Sequence, residues 1–226
     1  MRDPADPRAR LARWARERAV ALGYLGALGV AEAGYRLLGE RERAAVAAWA
    51  STNLDNLVTH APAALPLSAV VPLEHPLLWL GLAAVALPPV TARLGNARTA
   101  LLFGLTHTVG TAVSQGIVWW RVTSGDLPDS ARQMLDTGAS YVVAPALLTA
   151  VAFAPWRWRI PAGAGLAVLL PFLFDGLAEL EVSAVGHTVS LALAVPLYLA
   201  LRRPPGAPAA GPGDGAPLAS GLRGAV

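Results

Sequence analysis

Apolar and polar positions fall in long blocks along this chain, not in the short periods of a soluble fold. Six blocks are mostly apolar: Ala19–Leu38, Pro76–Ala92, Thr99–Trp120, Thr137–Pro155, Ile160–Leu177 and Val182–Leu201, each bounded by Arg, Asp, Glu or Pro. A hydrocarbon core about 30 Å thick takes about 20 such residues to cross as a helix. The pattern therefore predicts an all-α polytopic membrane protein with six transmembrane helices. Pro88, Pro89, Pro145, Pro171 and Pro196 lie inside the blocks, where membrane helices tolerate them as kinks.

Between the first two blocks lies a loop of 37 residues, Gly39–His75, with apolar stretches at Ala44–Trp49 and Ala61–Val71. Ser51 ahead of TNLDN is expected to cap a helix there, and a loop this apolar is expected to lie in the outer leaflet or pack on the helices. The chain divides into an Arg-rich N-terminal segment (1–18), a membrane domain (19–203) and a Pro/Gly/Ala-rich tail (204–226) without periodicity, expected to be disordered. No internal repeat is visible, which disfavours transporter folds built from duplicated halves.

Composition agrees with the bilayer as solvent: 54% hydrophobic and 15% charged residues exclude an ordinary soluble globule. Cysteine is absent, which excludes disulfides, thiolate zinc sites and thiol catalysis. No cofactor or metal is expected, and the net charge of +3 calls for no nucleic-acid partner. No cleavable signal peptide is expected, because Arg2–Arg18 is too long and too charged for one. With the N-terminus inside, 13 arginines fall on the cytoplasmic side: six from Arg2 to Arg18, then Arg93, Arg98, Arg157, Arg159, Arg202, Arg203 and Arg223. Four, Arg41, Arg43, Arg121 and Arg132, fall outside. This asymmetry predicts an integral protein of a bacterial plasma membrane with both termini cytoplasmic.

Polar groups inside spans are costly and mark function. Counting along each block places Ser140, His187 and His75, from three different spans, in one layer near the outer face, with His107 about 20 Å below the outer end of its span at 1.5 Å per residue. Ser140 alone is compatible with capping or helix packing, and His187 alone with a structural hydrogen bond. Together they are a nucleophile and a base. The small residues Ser190 and Ala194 follow His187 along one face and permit close helix packing. Glu32 is expected to face a polar partner in the bundle, with a proton or ion site as the functional alternative. His107 with Thr106, Thr108 and Thr111 is expected to form a buried hydrogen-bond cluster or, less simply, a ligand site. His60 has no evident partner. Trp119, Trp120, Trp156 and Trp158 flank span ends as interfacial anchors.

The segments Gly138-Ala139-Ser140 at the start of the fourth span and Gly186-His187 in the sixth resemble the rhomboid intramembrane serine proteases over about residues 19–201. The resemblance implies a six-helix rhomboid-like bundle with a membrane-embedded first loop. It implies Ser140 as nucleophile, His187 as base, and an oxyanion site built from His75, Gly138 and the Ser140 amide. Its substrates would be single-span membrane proteins. Trp79 stands where the family carries an oxyanion asparagine in His-x-x-x-Asn. Tyr141 stands where Gly or Ala usually follows the serine, and its ring is expected to crowd the sixth helix. Three classes stay open: the protease, a non-catalytic relative that binds membrane clients through the same groove, and a small transporter using Glu32 and His107.

Overall fold

The computed structural model describes residues 6–71 and 75–202; the expected tail at 204–226 lies outside them. Among the described residues the chain is all-helical: α1 (Pro7–Glu17), α2 (Ala19–Leu37), α3 (Glu40–Ala50), α4 (Leu54–Ser68), α5 (Pro76–Leu94), α6 (Asn96–Thr123), a 3-10 turn at Asp129–Gln133, α7 (Ser140–Phe153), α8 (Trp156–Leu173) and α9 (Val182–Leu201). The six apolar blocks coincide with α2 and α5 to α9. Three helical stretches among the described residues, Leu77–Leu94, Asn96–Thr123 and Val182–Leu201, are long and apolar enough to cross a membrane. Helix α2 is diluted by four glycines, Glu32 and Arg36, and α8 opens with Arg157 and Arg159.

Helix α7 is apolar on every side, the mark of a fully buried helix, and it packs against α5, α6, α8 and α9. Val143, Ala144, Ala146, Leu147 and Ala150 are fully enclosed there. Its 14 residues span only about 21 Å, short of a hydrocarbon core. Helix α6, with 28 residues, reaches about 42 Å. The approach to α7 meets α6 at Gln115, whose amide donates to Asp136, about two turns before α6 ends at Thr123, so the central helix begins below the end of its neighbour.

The Gly39–His75 loop folds into the helix pair α3 and α4, packed on each other. The cap of α4 is Asn53, whose side chain accepts from the Asn56 N–H at 2.9 Å, and not Ser51 as the sequence suggests. Ser51 and Thr52 are fully buried because their hydroxyls serve tertiary contacts: Ser51 Oγ accepts from the Asp136 N–H (2.9 Å) and Thr52 Oγ1 donates to the Asp136 carbonyl (2.9 Å). Asn56 donates its amide to the Ala48 and Ser51 carbonyls at 2.7 and 2.8 Å, satisfying groups left over at the end of α3. Helix α4 breaks at His60 (φ −152°, ψ 40°), two residues before Pro62, whose ring cannot continue the ladder.

Candidate active site

Helix α7 starts at Ser140 because the residues before it are held elsewhere. Gly138 has φ +134°, a conformation that suits glycine, and its N–H donates to the Ser68 carbonyl at 2.7 Å. Two residues earlier, Asp136 is clasped by Ser51 and Thr52. The Gly-x-Ser segment thus hangs between two points of the first loop. Val142 and Val143 donate back to the Ala139 carbonyl at 3.1 and 2.8 Å. The N–H groups of Ser140 and Tyr141 are then the ones left over at the helix start.

His187 is the sixth residue of α9 and is 7% exposed. Its Nδ1 lies 3.0 Å from the Leu173 carbonyl at the end of α8. A carbonyl only accepts, so Nδ1 carries the proton and Nε2 bears the lone pair. Among the described residues Nε2 is buried and has no partner. An acceptor left so costs about 1–3 kcal/mol and asks for an explanation.

The Tyr141 ring does not force α9 away. It stands edge-on to His187, with ring centroids 5.0 Å apart and planes at 88°, and its hydroxyl donates to the Val182 carbonyl at 3.2 Å. Gly186 makes the room: a Cβ there would sit 2.0 Å from the tyrosine oxygen. The small face of α9 is used as well, since Ser190 Oγ donates to the Thr106 carbonyl of α6 at 3.0 Å.

Ser140, His187, His75 and Gly138 line one mostly apolar cavity of about 560 Å³, together with Trp79, Leu173 and neighbouring residues. No hydrogen bond joins the Ser140 hydroxyl to His187. His75 is exposed at the start of α5 in a left-handed conformation (φ 49°), which histidine tolerates better than most residues. Trp79, one turn on, is half-buried and packs against the core while facing the cavity. The Gly138 N–H is engaged by Ser68, so the donors at the helix start are those of Ser140 and Tyr141.

The other singled-out residues fall outside this cavity. Glu32 pairs with Arg36 one turn on in its own helix. His60 stacks on Trp49 (centroids 5.4 Å) and its Nε2 lies 3.0 Å from the Trp49 carbonyl. His107 sits level with Tyr141, ring centroids 5.9 Å apart, and not far beneath Ser140 as counting suggests. Helix α6 overshoots at its outer end, so residues counted from that end look too deep. Its Nε2 lies 2.9 Å from the Leu65 carbonyl and 3.1 Å from Ser68 Oγ, which fastens α4 into the bundle.

Sequence reasoning missed Asp136. Burial pushes its carboxyl above the usual carboxylate range, against hydrogen bonds from Gln115 and Thr52 that pull it down. The only trace in the sequence is its place four residues before Ser140.

A helical bundle with membrane-crossing segments, enclosing a cavity lined by a helix-start serine and a buried imidazole, defines a rhomboid-like integral membrane protein. A family model described as "rhomboid-like protein" matches residues 16–205, and the chain belongs to that family. No curated protein and no solved structure matches it.

Proposed function

We propose that the protein is an intramembrane serine protease in which Ser140 and His187 form the catalytic dyad. The observation that carries this reading is the state of His187. Its Nδ1 is fixed on the Leu173 carbonyl, which leaves an unprotonated, partnerless Nε2 on a residue lining the same cavity as Ser140. Dyad hydrogen bonds often tighten only when substrate arrives.

In this scheme Ser140 Oγ attacks the scissile carbonyl carbon while its proton passes to His187 Nε2. The tetrahedral oxyanion is held by the Ser140 N–H, with His75 at the cavity mouth as the side-chain donor. Collapse breaks the C–N bond, and Nε2 returns its proton to the leaving amine. Water then takes the place of the amine, gives a proton to Nε2 and releases the acid, returning the proton to Ser140. The substrates are single-span membrane proteins whose helices unwind near the outer face. Six spans (α2 and α5 to α9) with both termini cytoplasmic, in a bacterial plasma membrane, supply the setting. The membrane domain is 19–203, flanked by the segments 1–18 and 204–226.

One observation favours a second reading, a non-catalytic relative that binds membrane clients. Trp79 brings an indole to the cavity where an asparagine would bring an oxyanion donor, and losing one such donor costs about 10²–10³ in rate. A fluorophosphonate probe separates the two, because phosphonylation needs the same deprotonation and attack as acylation. Labelling is expected in the native protein, to vanish in Ser140→Ala and to fall steeply in His187→Ala. Trp79→Asn is expected to raise it. No labelling in either the native protein or Trp79→Asn, both folded, would favour the client binder; labelling that survives Ser140→Ala would place the nucleophile elsewhere.

A further inference from the structure

Helix α1 holds none of its residues buried in the protein, although Leu11 and Trp14, one turn apart on the same face, are 66% and 44% exposed. Around the rest of its circumference stand Arg8, Arg10, Arg13 and Arg16. Its separation from α2 has a specific cause. In a continuous helix the Val20 N–H would donate to the Arg16 carbonyl. Here the side-chain amide of Asn96, the first residue of α6, is inserted between them: Asn96 Oδ1 accepts from the Val20 N–H at 3.0 Å and its Nδ2 donates to the Arg16 carbonyl at 2.7 Å. A side chain inserted into the ladder in this way breaks or kinks a helix, and Arg18 between α1 and α2 accordingly has φ −123°, ψ 21°.

We infer that α1 is an interfacial helix that lies along the leaflet surface and binds anionic phospholipid, Leu11 and Trp14 entering the acyl boundary and the arginines meeting the headgroups. Three features favour this occupant. The helix joins the membrane-embedded bundle through a single residue, so it cannot leave the interface. No other helix covers its apolar face, where Leu11 stands exposed and Trp14 carries the Arg18 guanidinium over its ring at 5.1 Å, and an amphipathic helix with aromatic and aliphatic groups beside arginine is the form that sits at this depth. Its charge complements an anionic leaflet, and Asn96 holds it at the junction where the last turn of α5 carries Arg93 and the first turn of α6 carries Arg98. The inference is independent of whether Ser140 is a nucleophile.

The native chain has no cysteine, so the full-length protein in nanodiscs takes a single environment-sensitive fluorophore at Leu11→Cys, with Ala12→Cys on the arginine side as control. The label at 11 is expected to shift to the blue and to be quenched by spin-labelled lipid in discs of phosphatidylcholine with phosphatidylglycerol, much less in phosphatidylcholine alone, while the label at 12 stays in water. Salt should weaken the response. The triple change Arg8→Gln, Arg13→Gln and Arg16→Gln should abolish the phosphatidylglycerol dependence, by about fivefold in apparent affinity for each arginine lost. Because α1 stands outside the bundle, these variants should keep the native melting temperature. A label in water in both lipids, or equally buried in both, would overturn the inference. So would burial by soluble polyglutamate without any response to phosphatidylglycerol, which would make the partner an acidic peptide.

Discussion

Gly186 and Tyr141 are complementary to a degree that makes each the reason for the other. The tyrosine hydroxyl, ring carbon and ring edge would all lie within 2.7 Å of a Cβ at 186, so Gly186→Ala cannot be absorbed by rotating a flexible tip. Overpacking of this kind costs about 1–3 kcal/mol. The melting temperature of Gly186→Ala should therefore fall, and Tyr141→Ala in the same chain should restore part of the loss. Tyr141→Ala alone should lose stability by leaving a cavity. Full additivity of the two changes would show that they do not interact. The sequence displayed the tyrosine as an obstacle and the glycine only as the residue before His187. Their pairing was not legible, because which face of α7 meets α9 follows from where α7 begins. That start is set by Gly138 and by bonds from Ser68, Ser51 and Thr52, all distant in the chain.

Between elements, α6 and α9 pack closely along much of their length. A Cβ at Gly110 would lie 2.3 Å from Ser190 Oγ and 3.0 Å from the Gly186 carbonyl. Gly110→Ala should therefore destabilise by about 1–3 kcal/mol, with partial rescue by Ser190→Ala, which removes the nearer atom. Gly110→Leu should go further and displace α9. If His187 is the base, fluorophosphonate labelling of Ser140 should then fall although neither residue is touched. Unchanged labelling in a chain with a lowered melting temperature would mean that His187 does not act from α9. At this scale the sequence was informative: the positions of α2 and α5 to α9 follow from apolar blocks, and Ser190 and Ala194 marked the packing face. The first loop was half legible. Its apolar character pointed to packing against the helices, but the break at His60 and the cap at Asn53 depend on where Pro62 and the Asp136 contacts fall.

For the whole molecule, Asp136 is the point where the first loop, α6 and the approach to α7 meet. Its backbone accepts from and donates to Thr52 and Ser51, and its Oδ2 accepts from Thr52 Oγ1 and Gln115 Nε2, each at 3.2 Å. Burial raises the carboxyl above its ordinary range, so the folded protein binds a proton here more tightly than the unfolded chain does. Where the folded state holds more protons, stability falls as pH rises. This contribution is complete below about pH 4, the ordinary aspartate value, and is lost upward from there until the folded-state carboxyl has ionised. Asp136→Asn keeps the shape and cannot ionise. Its melting temperature should stay close to that of the native protein at acid pH, with a flatter decline as pH increases. Asp136→Ala leaves the Gln115 amide without its buried acceptor and should lose about 1–3 kcal/mol at every pH. Because the same contacts suspend Gly138 and Ser140 between Ser68 and Thr52, the Ala change should also loosen the start of α7. Hydrogen exchange at residues 138–143 would detect that as faster exchange in Asp136→Ala than in Asp136→Asn. A pH slope that persists unchanged in Asp136→Asn would assign the titration to another group.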